Sequence, residues 1–145
     1  MFSGGWEALL FNRKTAQELA GLDTLLDLQI WANCVWVKGT VKGKTIVKFL
    51  SKKLFKEKFA NDRKARSKAI QVQVNLFNPW EYTALSSQGE KRYKINLWHK
   101  GISCDCPDFQ IMEQLIQGPK SCKHCYAVLR QLGYSSLSEW INRHA

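Results

Sequence analysis

No run of this chain is apolar for anything near the ~18 residues that a membrane-spanning helix needs. The N-terminus has neither the basic n-region nor the apolar h-region of a secretory signal. The expectation is therefore an intracellular protein, cytoplasmic or nucleoid-associated, that is not secreted. Low-complexity tracts and internal repeats are missing. So are a His-Glu-x-x-His helix, a phosphate-binding glycine loop and a nucleophile elbow, and no enzyme is expected beyond a fragment or accessory subunit of one. Acids are scarce, with 12 Asp and Glu against 22 Lys and Arg. Five cysteines make an odd count, and four of them lie between positions 104 and 125, a poor basis for a disulfide framework. Composition argues against wholesale disorder: 45% of residues are apolar, with six Trp and seven Phe, enough for a real core in 145 residues.

The scarce acids leave an uneven charge map. Residues 1–37 carry two Lys or Arg against four acids, and residues 69–145 carry eight against six. Residues 38–68 carry twelve against only Glu57 and Asp62, which equals the whole net charge of +10. Such a block points to a polyanion partner, nucleic acid before an anionic membrane, with a solvated basic face as the plain alternative. The candidate phosphate contacts are Lys38, Lys42, Lys44, Lys48, Lys52, Lys53, Lys56, Arg63, Lys64, Arg66 and Lys68.

Hydrophobic spacing gives a coarse α+β order. Residues 5–28 read as mostly helical through Trp6, Leu9, Leu10, Leu19, Leu22, Leu25 and Leu26. Trp31 to Leu50, rich in Val, Ile, Thr and aromatics and broken by Gly39 and Lys42-Gly43-Lys44, reads as a β-hairpin. If its turn preserves parity, Lys38, Lys42, Lys44 and Lys48 line one face as a lysine strip, with Val37, Val41, Val47 and Phe49 on the other. Ser51 caps a basic helix over about 52–69, with Leu54, Phe55 and Phe59 as its apolar stripe. Strands are expected next at 71–76, 82–85 and 93–98, with Ser86 to Glu90 as a polar turn. Two domains are expected, a basic N-terminal helix–hairpin–helix region over 1–64 and a second over 65–145.

Cys104-Asp105-Cys106 and Cys122-Lys123-His124-Cys125, with 15 residues between the clusters, supply the soft donors of a closed tetrahedral zinc site. Between them, Pro107 stops the strand and Asp108 to Gln117 reads as a helix with Phe109, Met112 and Ile116 inward, ended by Gly118-Pro119. Ser121 is an N-cap for a helix over about 122–132, with Val128, Leu129 and Leu132 facing the core, and Ser136-Leu137-Ser138-Glu139 opens a last one. Asp105 and Asp108 are expected to cap backbone N–H groups. Spacing does not choose the fourth ligand. Cys125 shares a helix face with Cys122, yet also continues the apolar stripe, and His124 lies about 200° round an ideal helix from Cys122. A closed shell leaves no open position for catalytic water.

Cys104-x-Cys106 and Cys122-x-His124, set in Cys-Asp-Cys-Pro-Asp-Phe and Cys-Lys-His-Cys-Tyr-Ala-Val-Leu, resemble the SWIM-type zinc finger over about Ala65–Leu132. The resemblance implies one structural zinc held by Cys104, Cys106, Cys122 and His124, with Cys125 in the core. It implies a small zinc-stabilised ββα unit preceded by a basic helix and a strand pair. It also implies a module attached to nucleic-acid machinery, binding DNA rather than RNA, or else a protein-interaction adaptor or accessory subunit of a DNA-processing complex. Of the other residues, Cys34 reads as a buried strand thiol, His99 as turn surface, and Trp36, Trp80 and Trp98 as core or as stacking surfaces for bases. Lys94, Lys100, Lys120 and Lys123 decorate the zinc unit.

Overall fold

A computed structural model describes residues 10–86, 91–116 and 118–144. The protein is α+β, and the chain divides into two compact units, Met1–Asn61 and Asp62–Ala145. Among the described residues its elements are α1 (Arg13–Ala20), β1 (Thr24–Ile30), β2 (Val35–Val41), β3 (Lys44–Leu50), α2 (Lys52–Ser67), β4 (Gln71–Val74), β5 (Glu81–Leu85), β6 (Arg92–Trp98), β7 (Gly101–Cys104), α3 (Pro107–Leu115), α4 (Lys123–Gln131) and α5 (Leu137–Arg143).

The helical expectation for 5–28 holds only for its middle; Trp6 and Leu9 lie outside the described residues. Asn12 caps α1 by accepting the Thr15 N–H at 2.9 Å, and Gly21, at φ 67°, ends it in the left-handed conformation. The chain beyond Gly21 is strand, because Leu22, Leu25 and Leu28 serve a sheet face once the helix is broken. β1, β2 and β3 form an antiparallel meander. Gly39 does not break it: it lies in mid-strand, paired with Leu25 where β1 carries a bulge. The inner face of the sheet, with Val35, Val37 and Leu50, packs with Ala16 and Ala20 of α1 and Phe55 of α2. Phe11 and Phe55 meet edge to face with ring centroids 5.2 Å apart.

The lysine strip does not form. Val41 pairs with Lys44, so the β2–β3 turn contains only Lys42 and Gly43, both at positive φ (52° and 79°). A two-residue turn pairs odd positions with even ones: Lys38 stands opposite Val47, and Lys48 opposite Val37. Lys38 therefore lies on the outer face, while Lys44 and Lys48 belong to the inner one. Lys48 escapes burial by reaching the end of α1, where its Nζ donates to the Ala20 carbonyl at 2.7 Å. The outer face instead carries Trp31, Trp36, Val47 and Phe49.

In the second unit β4 to β7 form an antiparallel sheet in sequence order. Its strands alternate, with Tyr82, Ala84, Ile95 and Leu97 buried between exposed or half-buried neighbours. α4 packs across all four strands through Ala127, Val128 and Leu129. Leu132, expected inside, is 38% exposed, because α4 ends at Gln131 and Leu132 is its cap residue. α3 ends at Leu115 with Ile116 as cap, so Gly118, at φ 88°, lies two residues past the cap. Ser136 does cap α5, accepting the Glu139 N–H at 3.1 Å. Residues 87–90 of the expected polar turn lie outside the described residues.

Candidate metal centre

The alternation of β7 puts Cys104 on the buried face, opposite Ile95 of β6. Asp105 carries the pairing one step further: its N–H donates to the Lys94 carbonyl, and its Oδ1 accepts the Lys94 N–H at 2.9 Å. That is the backbone role expected of Asp105. Cys106 is the N-cap of α3, with Pro107 in the first turn, and its Sγ accepts the Phe109 N–H at 3.4 Å. The second cluster is built the same way. Cys122, not Ser121, is the N-cap of α4, and its backbone is extended (φ −87°, ψ 179°). That removes the 200° obstacle, since Cys122 is not on the helix at all and can turn its thiol towards His124 in the first turn. Two of the cysteines thus sit at helix N-termini, where unpaired N–H groups and the helix dipole favour a thiolate.

Cys104, Cys106, Cys122 and His124 are all buried, and one donor atom from each lies within 4.8 Å of the others. His124 Nδ1 is 3.8 Å from the Cys104 Sγ and 3.7 Å from the Cys122 Sγ. A tetrahedron with Zn–S bonds of about 2.3 Å and Zn–N of about 2.05 Å has S···N edges of roughly 3.6 Å and S···S edges of roughly 3.8 Å. The donor set fits one structural zinc ion. The other ring nitrogen, Nε2, is buried without a hydrogen-bond partner among the described residues. The Tyr93 ring packs on the imidazole at 4.7 Å between centroids and helps to fix its orientation.

Crowded thiols resist ionising together. Hydrogen bonds with Cys106, Cys122 and Cys125, with burial added, push the Cys104 thiol far up, and the same contacts with Cys104 and Cys106 pull Cys122 far down. For Cys106 the hydrogen bond with Cys104 lowers the pKa, but contact with Cys122 and burial outweigh it and leave the thiol pushed up to about 11. One thiolate among protonated neighbours is the arrangement these contacts favour. A divalent cation would reverse that balance, ionising the ligands and releasing their protons.

Cys125 is fully buried in α4, with its Sγ 3.6 Å from that of Cys122. It is both a core residue and a thiol at ligand distance from another ligand. His124→Ala is therefore expected to retain zinc near one per chain, held more weakly, by recruiting Cys125. The double variant His124→Ala/Cys125→Ser should be metal-free, and elemental analysis with a chelator competition separates the two.

Residues 93–133, from β6 to just past α4, match the family model of the SWIM zinc finger. These residues form a SWIM zinc finger. No curated protein and no solved structure matches the chain. The SWIM segment holds all four of the buried donors, whereas residues 65–92, with β4 and β5, lie outside the match.

Asp108 does not cap a backbone N–H. It takes a bidentate pair from Arg63, Nη2 to Oδ1 at 2.9 Å and Nε to Oδ2 at 3.1 Å. Arg63 is thereby committed to bracing the start of α3, with its side chain only 12% exposed. Sequence reasoning missed this brace, since nothing in spacing links positions 45 residues apart. Lys64 lies over the Tyr126 ring, Lys52 over Phe11, and Lys53 faces Glu57 at 3.9 Å. Lys38, Lys42, Lys44, Lys56, Arg66 and Lys68 are exposed, and among the described residues none of their side-chain cations has a carboxylate within 4 Å, although Asp23 Oδ2 accepts the backbone N–H of Lys42 at 2.7 Å. Around the SWIM segment Lys94 faces Glu81 and Lys120 faces Glu113, while Lys100 is exposed and Lys123 half-buried. Trp80 and Trp98 are about half exposed, His99 is exposed, and Cys34 is half-buried just before β2.

Proposed function

We propose that this protein is a non-catalytic, zinc-stabilised module that binds nucleic acid, and DNA in particular. The observation that carries this reading is the cation distribution. Seven lysines and no acid lie between Asp27 and Glu57, and Lys38, Lys42, Lys44 and Lys56 among them are exposed, their ammonium groups forming no salt bridge among the described residues. Unneutralised lysines on one stretch of chain suit phosphates, which they would engage by counterion release and without reading sequence. The zinc supplies structure to the SWIM segment, since its four donors fill the shell and leave no position for substrate. Such a module acts inside the cell, where thiols stay reduced.

Fluorescence anisotropy of the zinc-loaded protein against DNA across a salt series tests the reading. Log affinity should fall linearly with log salt, with a slope of about −0.7 to −0.9 per phosphate neutralised. Changing Lys38, Lys42, Lys44 and Lys56 to Gln should reduce that slope by about 3 and weaken binding at low salt by orders of magnitude. An unchanged slope would place the phosphates elsewhere. Absence of any binding at low salt would remove the proposal.

A second reading, a protein-interaction adaptor or accessory subunit of a DNA-processing complex, is favoured by one feature. The loop between β4 and β5 presents Leu76 at 90% and Phe77 at 98% exposure. It is not slack. Asn75 Oδ1 accepts the Phe77 N–H at 2.9 Å, Asn78 Oδ1 accepts the Trp80 N–H at 3.1 Å, and Asn75 Nδ2 donates to Glu81 Oε2 at 2.8 Å. Under this reading the lysine variant keeps its partner in a pull-down, and Phe77→Ala loses it.

A further inference from the structure

The parity shift of the β2–β3 turn, which dissolves the expected lysine strip, leaves another surface in its place. On the outer face of the first sheet Trp36 pairs with Phe49 across β2 and β3, and Lys38 with Val47 one step along. Trp31 closes the row from the end of β1. Its ring lies 5° from parallel to Trp36, with centroids 6.4 Å apart, and 5.4 Å from the ring of Phe49. Phe49 is 60% exposed, Trp31 44% and Val47 47%. These rings are held in place. Trp31 donates its indole N–H to Gln29 Oε1 at 3.0 Å and its backbone N–H to the Cys34 carbonyl at 2.9 Å.

We propose that this aromatic face stacks the bases of single-stranded DNA, with Lys38 and Lys52 taking the flanking phosphates. The inference rests on the nucleic-acid reading above and names the form of nucleic acid. Three observations carry it. First, the patch is aromatic, with Trp31 and Trp36 parallel and the Phe49 ring tilted 61° to Trp31, and base faces are aromatic and available for stacking only when unpaired. Second, its surroundings are cationic: no acid occurs between Asp27 and Glu57. Lys38 lies two residues from Trp36, about 7 Å along the strand, which suits a phosphate next to a stacked base. Lys52 marks the other end, with its Nζ donating at 3.2 Å to the carbonyl of Ala32, the neighbour of Trp31. Third, the one acid on this face, Asp27 opposite Lys38, turns back on its own strand and accepts the Leu28 N–H at 2.8 Å. An apolar protein partner would find Val47 and the rings attractive but would desolvate Lys38 without offering it an anion of its own.

The test uses the zinc-loaded full chain, a labelled oligo-dT strand and a mixed-sequence duplex of equal length. Phe49→Ala and Trp31→Ala remove exposed rings, so both should fold with unchanged zinc content. Each should raise the Kd for the single strand by about five- to a hundredfold while leaving duplex binding within twofold. Phe49→Leu keeps the apolar area and loses the ring, and should behave as Phe49→Ala does. Equal losses on strand and duplex, no loss on either, or full recovery with Leu would each overturn the stacking platform while leaving phosphate binding intact. Failure of the unaltered protein to bind either probe at low salt would overturn the nucleic-acid reading itself, and the platform with it.

Discussion

Cys104→Ala is expected to empty the metal site and unfold the second unit. Zinc content should drop from one per chain towards zero, and the thermal transition of residues 62–145 should disappear or broaden. The size of the effect comes from the division of labour in this unit. Structural zinc contributes about 10–16 kcal/mol of apparent binding free energy in small finger peptides, against a native stability of about 5–15 kcal/mol for an ordinary domain. Losing one of four ligands need remove only part of that to exceed what the remaining core supplies. Cys104 is also buried in its own right, 6% exposed on β7, so its removal leaves a gap beside Ile95. The control is Cys34→Ala, whose thiol is outside the cluster and half-buried, and which should keep its zinc. A chelator added to the unaltered protein should reproduce the Cys104→Ala melting curve. If Cys104→Ala bound one zinc with an unchanged Tm, and Cys104→Ala/Cys125→Ser, which also removes the spare thiol, did so too, Cys104 would not be a ligand and the SWIM site would need a different fourth donor.

The sequence marks this site so openly because metal ligation is local. A Cys-x-Cys on a strand end and a Cys-x-His at a helix start are each made by three consecutive residues. Only the choice between His124 and Cys125 needed more than spacing. The structure shows why: with Cys122 as an extended N-cap, helical angles do not govern the pair. The strands of the second unit were legible for a similar reason, since Ile95 and Leu97 alternate with exposed neighbours. What spacing could not supply was tertiary. The helical period of Leu19, Leu22, Leu25 and Leu26 continues past Gly21 only on paper, because the sheet takes Leu25 once the chain has turned. Parity across the β2–β3 turn depends on whether its loop has two residues or three, and that single residue decides which face the lysines occupy. Arg63 reads in the sequence as one more phosphate contact, whereas in the fold Asp108 holds it.

Gly39→Ala is expected to be the most damaging single-methyl change in the first unit. A Cβ built on Gly39 would lie 2.2 Å from the Thr24 carbonyl oxygen and 2.6 Å from Leu22 Cδ1. Neither neighbour can yield cheaply. Thr24 opens β1 and is paired with Thr40, and Leu22 is buried in the core beneath the sheet. The register shift between Leu25 and Asp27 occurs beside this position, so the bulge and the glycine together let β1 cross close over β2. Overpacking usually costs about 1–3 kcal/mol, and a backbone clash this short belongs at or above the top of that range. At roughly 4–8 °C per kcal/mol for a domain of this size, the Tm of the first unit should fall by about 12 °C or more. Gly43 provides the contrast. It holds the tight turn at φ 79°, yet a Cβ there meets nothing within 4 Å, so Gly43→Ala bears only the conformational cost of roughly 1–2 kcal/mol. The glycine that looks like a turn is thus the tolerant one, and the glycine in mid-strand is the constrained one. Thermal melts of both variants, followed by tryptophan fluorescence with zinc content checked in parallel, decide the order. Zinc should stay at one per chain in each, because all four donors lie beyond residue 61. Equal stability of Gly39→Ala and the unaltered protein would mean that β1 slides at its bulge to admit the methyl, and that the close crossing is not what fixes the sheet.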